Sequence, residues 1–166
     1  LALVLQDKRF TAAGQIDYTL SASDRTNGYT GDVLLVNGAL APVWRAPSQW
    51  VRFRLLNGCN ARALVLRLGN SLPLLQVANE AGLLAVPVAR PSLALGPGER
   101  AEVLVDFSAM PAGQEVPLYA STAQGGMGMG NAGGATEVEA MRIRVSLPKQ
   151  SNSISSPPNT LPAAAA

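Results

Sequence analysis

A single thiol, Cys59, sits in "RFRLLNGCNARALVLRL" (52–68), and it draws attention because the chain contains no histidine. Without imidazole there is no serine–histidine or cysteine–histidine catalysis, little zinc chemistry, and no type 1 copper site built on histidine nitrogens. To react, Cys59 needs a base, a cation or a helix N-terminus that lowers its pKa. Arg62 is close in sequence, but the turn-like "NGCN" does not fix its geometry. The expectation is that Cys59 packs as a small apolar side chain at a strand turn. One cysteine also excludes an internal disulfide and a cysteine-only zinc site.

The second candidate is the glycine-rich "GGMGMGNAGG" (125–134). It lacks the Lys-Ser/Thr and the helix that would make it a phosphate-binding loop. Met127 and Met129 carry thioethers that suit cuprous copper, and the Met-Gly-Met spacing lets both approach one ion. Against this stands the reading of a loop whose methionines cover a neighbouring surface. Glu99, Glu102 and Asp106 are the third candidate, as carboxylates for acid–base work. Strand alternation puts Glu102 and Asp106 on one face, but too far along the pleat to share a proton, so solvated charges are expected. The sequence therefore assigns no catalytic and no cofactor-binding residue. For metal, Met127 and Met129 alone are offered, as contacts for Cu(I).

The elements that must hold these residues are strands. Apolar residues recur with period two, or in short runs bounded by turn residues. Strands are expected in 1–10, in "QIDYTL" (15–20), and in "VLLVNG" (33–38), which ends on an Asn-Gly turn signal. "SASDRTNGYTGD" reads as a polar loop, and "APVWRAPSQ", with prolines 42 and 47, as loop or sheet edge. "WVRFRLLNG" alternates Val51, Phe53 and Leu55 against Arg52 and Arg54. "ARALVLRLG", "LPLLQVAN", the pair around Gly-Pro-Gly in "SLALGPGERAEVLVDFS", "VPLYAST" and "EAMRIRVSL" complete the series. The last places Met141, Ile143 and Val145 opposite Arg142 and Arg144. Nine or ten short strands, with no long amphipathic helix, define an all-β sandwich or barrel of Greek-key type.

With 166 residues the chain suits one domain. Residues 1–147 are read as that domain. Residues 148–166, "PKQSNSISSPPNTLPAAAA", are read as a disordered Pro/Ser/Ala-rich linker, too poor in large apolar side chains to order itself. The opening on an apolar strand without a methionine is expected of a piece of a longer chain. Thirteen basic and eleven acidic side chains leave a formal charge of +2, too small a surplus for a nucleic-acid-binding stripe. No apolar run is long enough to span a membrane as a helix.

Five stretches in series resemble one family: "LVLQDKRFTAAGQIDY", "GDVLLVNGALAP", "WVRFRLLNGCNAR", "PLLQVANEAGLL" and "LGPGERAEVLVDF". Together they are similar to the middle domain of three-domain bacterial multicopper oxidases, and among these to the periplasmic copper-efflux cuprous oxidases, where "MGMG" also has a counterpart. The resemblance implies a cupredoxin-like Greek-key β-sandwich without copper of its own. In such oxidases a type 1 centre lies in the third domain and a trinuclear cluster between the first and third. The expected partners are therefore flanking cupredoxin domains 1 and 3 of the same parent chain. The expected location is the periplasm, and an excised fragment is expected to self-associate through exposed interface. The parent would oxidise Cu(I) or phenolic substrates and reduce dioxygen to water in copper tolerance, while the isolated chain would be inactive. A second parent fits the same motifs: the copper-free, non-enzymatic cell-division relative of the superfamily. A free-standing β-sandwich binding module is the third reading.

Overall fold

The computed structural model describes residues 1–122, 137–151, 153–154 and 156–161. In chain order the elements begin with β1 (Ala2–Lys8), α1 (Ala22–Asn27), β2 (Val33–Val36), β3 (Ala39–Leu40), β4 (Val43–Pro47) and β5 (Trp50–Asn57). They continue with β6 (Leu64–Leu68), β7 (Leu74–Asn79), β8 (Gly82–Arg90), β9 (Leu93–Leu95), β10 (Arg100–Asp106), β11 (Glu115–Thr122) and β12 (Glu137–Leu147). A seven-stranded sheet has the order β3-β2-β1-β5-β10-β7-β8, and a five-stranded sheet the order β4-β12-β11-β6-β9. Pairing is antiparallel except for β1 with β5 and β4 with β12, which are parallel.

Period-two alternation explains the core. Leu3 and Leu5 of β1, Phe53 and Leu55 of β5, and Val103 and Val105 of β10 face inward from the larger sheet. Leu64, Leu66 and Leu68 of β6, Val116 and Leu118 of β11, and Met141, Ile143 and Val145 of β12 meet them from the smaller one. Each such side chain contributes about 1.5–3 kcal/mol on burial. Phe53 ties the layers through edge-on contacts with Trp44 (5.6 Å) and Phe107 (6.3 Å). The opposite parity carries charge: Arg52 and Arg54 reach Glu102, while Arg142 and Arg144 share Glu115. At Leu118/Tyr119 the register with β12 shifts by one residue, a bulge that buries Ala140 and Met141 in succession.

The all-β sandwich expectation holds, with twelve strands among the described residues rather than nine or ten. β8 and the two-residue β3 are additional. β8 reads "GLLAVPVAR", apolar without alternation and interrupted by Pro87, because it is an edge strand exposed along much of its length. "APVWRAPSQ" contains β4, and this is the sheet edge of the two options. "QIDYTL" is not a strand; only Phe10 and Ile16 form an isolated bridge. Its polar groups are used locally, with Thr19 N–H donating to Asp17 Oδ1 (2.8 Å) and Tyr29 OH to Asp17 O (2.9 Å). The supposed loop after it holds α1. A capping box starts this helix: Asp24 N–H donates to Ser21 Oγ (3.1 Å), and Ser21 N–H donates back to Asp24 Oδ2 (2.8 Å). Beyond β12, Gln150 N–H donates to Gln49 Oε1 (2.8 Å) and Leu161 N–H to Ala85 O (3.1 Å).

Candidate functional site

The inward parity of β1 does not stop at Leu5. It carries Asp7 onto the core side, where the residue is 1% exposed. A carboxylate in that position needs donors. Asp7 Oδ2 accepts from Gly31 N–H (2.7 Å) and from Arg62 Nε (2.9 Å), and Arg62 Nη2 donates to Gly31 O (2.6 Å). Asp7 Oδ1 is buried with no hydrogen-bond partner among the described residues. Gly31 has to be glycine for steric reasons: a Cβ there would lie 2.2 Å from Lys8 N and 2.6 Å from Asp7 C.

Arg62 is aimed by the turn "NGCNAR". Asn57 extends the buried parity of β5 and is fully enclosed. Its Nδ2 donates to Arg62 O and Leu95 O (2.9 Å each), and its Oδ1 accepts from Cys59 N–H (3.0 Å). Gly58 N–H donates to Leu5 O (2.7 Å), closing the turn onto β1. Cys59 is buried beneath it, its Sγ 3.9 Å from Leu5 O. Burial pushes the thiol up to about 12, and the negative charge of Asp7 acts in the same direction. The thiolate that a nucleophile or metal ligand requires is therefore suppressed. Cys59 packs, as expected.

A cleft of about 470 Å³ opens beside this ion pair. Asp7 and Arg62 are part of its lining, with Leu34, Leu64, Val138 and Glu139. Just past the end of β1, Arg9 grips Asp24 with both terminal nitrogens (Nη1 to Oδ2 2.8 Å), donates from Nε to Thr30 O (2.9 Å) and lies over the Tyr29 ring (4.6 Å). Tyr18 stacks on Tyr29 at 4.7 Å and accepts from Lys8 Nζ (2.9 Å). The Arg9 guanidinium and the Ser21 donors hold the Asp24 carboxyl well below the usual carboxylate range. The Tyr18 hydroxyl, as the main cause, raises Lys8 above its ordinary value. These contacts lock the 9–31 excursion to β1. They pair charges and stack rings, and they set no nucleophile beside a base.

The three sequence-selected carboxylates do not converge. Glu102 lies between Arg52 and Arg54, Glu99 Oε2 accepts from Gly96 N–H (2.7 Å), and Asp106 Oδ1 accepts from Ser108 N–H (2.8 Å). Met127 and Met129 lie outside the described residues. Ser121 and Val138, near either side of that segment, both line the cleft. Among the described residues no group of three or more His, Cys, Asp or Glu side chains gathers around a metal position. The sequence reading missed Asp7 and Asn57. Each had a signal: a polar residue at a position that the strand's own alternation marks as buried.

Two mixed sheets in this order, packed face to face, are the cupredoxin-like sandwich found in multicopper oxidase domains. Over 100% of its length the chain matches 34% of the laccase-like multicopper oxidase CueO of an Ochrobactrum species, with 34% identity and a TM-score of 0.81. It likewise matches 35% of a variant of the McoA multicopper oxidase from the hyperthermophile Aquifex aeolicus, with 32% identity and a TM-score of 0.85. Among curated proteins, the cell division protein FtsP of Yersinia pestis is 44% identical over 123 residues, which are 74% of this chain and 25% of that protein. The chain spans about a quarter of the length of the curated relatives it matches and about a third of the solved structures. No family model matches the chain.

Proposed function

We propose that this chain is a copper-free structural domain, the middle cupredoxin unit of a longer multicopper-oxidase-like protein, which spaces and braces the flanking domains 1 and 3. The observation that carries the reading is a cupredoxin-type sandwich built from a sequence with no histidine. Its one thiol is buried and held protonated, so the usual copper ligands of this fold are missing. The polar cluster around Asp7 acts instead as a clamp, fastening the 9–31 excursion and the "NGCNAR" turn to β1.

For the parent, the reading is an oxidase of Cu(I) or phenolic substrates that reduces dioxygen to water, periplasmic and serving copper tolerance. Supporting it are "NGCNAR", "MGMG" and a likeness to multicopper oxidases that runs over the whole chain. A second parent, the non-enzymatic cell-division type, is favoured by the higher identity, 44%, to the Yersinia pestis protein. Copper in the oxidase would sit in type 1 and trinuclear centres of the other domains. The residues described here present no ligand set for either.

The purified chain is expected to show no blue type 1 absorption after incubation with Cu(II), and no oxidase activity. A blue band would refute the structural reading. Any weak Cu(I) binding is assigned to Met127 and Met129, and binding that survives Met127→Leu with Met129→Leu would remove them. His-x-His pairs and a His-Cys-His run in the adjoining parts of the parent's reading frame would support the oxidase. Their absence there would leave the cell-division type.

A further inference from the structure

The two sheets leave four edge strands: β3, β8, β4 and β9. Three are short, at two, five and three residues for β3, β4 and β9, whereas β8 runs for nine. β8 exposes 41% of Leu83 and 48% of Val86. Its register with β7 slips between Gln76 and Ala78, leaving residues 84–87 without a register partner. A long apolar edge of this kind is a template for another strand. Pro87 removes one donor from it but does not cover it.

The C-terminal segment meets this edge. Leu161 N–H donates to Ala85 O at 3.1 Å. Ser153, Pro157 and Leu161 are half-buried in a stretch whose other described residues from 151 to 160 are exposed, so the segment lies against the protein at intervals. Gln150 secures its start through Gln49 Oε1 (2.8 Å). Prolines 157 and 158 favour an extended backbone and lack N–H groups. A segment of this composition can cover an edge while offering little to a further strand, so it ends the sheet instead of extending it.

We infer that the outer edge of β8 is a docking strip for the chain's own Pro157–Leu161 segment, and that the same strip pairs with a second copy of this chain once the segment is released. This holds whether or not the parent carries copper.

Amide hydrogen exchange on the 166-residue chain tests the first half. The Leu161 amide is expected to exchange at least about tenfold more slowly than those of Asn159 and Thr160; equal rates overturn the docking. Sedimentation velocity tests the second half on two variants that leave the core untouched: a chain lacking residues 157–166, and Leu161→Pro, which removes the donor and keeps the length. Both are expected to show a doubled mass at concentrations where the unaltered chain is monomeric, with unchanged circular dichroism. Adding Val86→Lys to the truncated chain is expected to restore the monomer. A truncated chain that stays monomeric, or a dimer indifferent to Val86→Lys, overturns the proposal.

Discussion

Replacing Cys59 by alanine should produce a change in stability that reverses sign with pH. At pH 8 the thiol is neutral in both the folded and the unfolded chain, and alanine leaves a small cavity in a buried site, costing about 1–2 kcal/mol. The ordinary thiol value is 9.0, and burial in the fold raises it to about 12. Its contribution to stability is therefore fully present below pH 9 and is lost as pH climbs toward 12, because only the unfolded chain can release the proton in that window. At 1.36 kcal/mol per unit, the unsubstituted chain loses about 2–3 kcal/mol by pH 11 that the alanine variant cannot lose. Lysine and tyrosine titrate in the same range but are shared by both proteins, so they cancel in the difference. Urea denaturation of the two proteins at pH 8, 9, 10 and 11 should give stability curves that cross above about pH 10. Parallel curves across that range would refute the burial argument. So would native Cys59 reacting with a thiol reagent as fast as it does in unfolded protein.

Asp7→Ala removes the acceptor shared by Gly31 N–H and Arg62, leaving a partly buried guanidinium without its carboxylate. A loss of about 3–5 kcal/mol in denaturant-induced unfolding is expected, and a loss below 1 kcal/mol would show that the clamp is dispensable. Gly31→Ala drives a Cβ into the backbone of Asp7 and Lys8. The β1–β2 pairing has to shift to admit it, so a lowered Tm and faster amide exchange in β1 are expected, and an unchanged Tm would contradict the packing.

Much of this architecture could be read from alternation alone. Val51, Phe53 and Leu55 against Arg52 and Arg54, or Met141, Ile143 and Val145 against Arg142 and Arg144, repeat a two-residue period, because one face of each sheet meets the core and the other meets water. The reading failed where that asymmetry is missing. β8 is a sheet edge with exposed residues on both faces and a proline inside, so its pattern carried no period. α1, at six residues, is too short for a helical stripe, and only its Ser21 and Asp24 spacing announces it. Asp7 and Asn57 were hidden differently: each lies on a correctly read strand, but both donors to Asp7, Gly31 and Arg62, are distant in sequence, and Asn57 joins its own following turn to Leu95 of β9, a link no local pattern shows. The lack of histidine, by contrast, is a property of the sequence itself and needed no structure to be seen.

The parallel pairing of β4 with β12 has a consequence for how the chain is made. β4 has one neighbour among the described strands, and its partner residues run from Val43 with Arg142 to Pro47 with Leu147. While the chain emerges from the ribosome, β4 waits with both edges bare until almost the whole domain has been synthesised. β11 also lacks its second neighbour until then. Contacts of such long sequence separation fold slowly and late. A nascent chain halted before β12 would hold the larger sheet's pairings with the smaller one still open, so completion of the sandwich is timed by the arrival of its last strand.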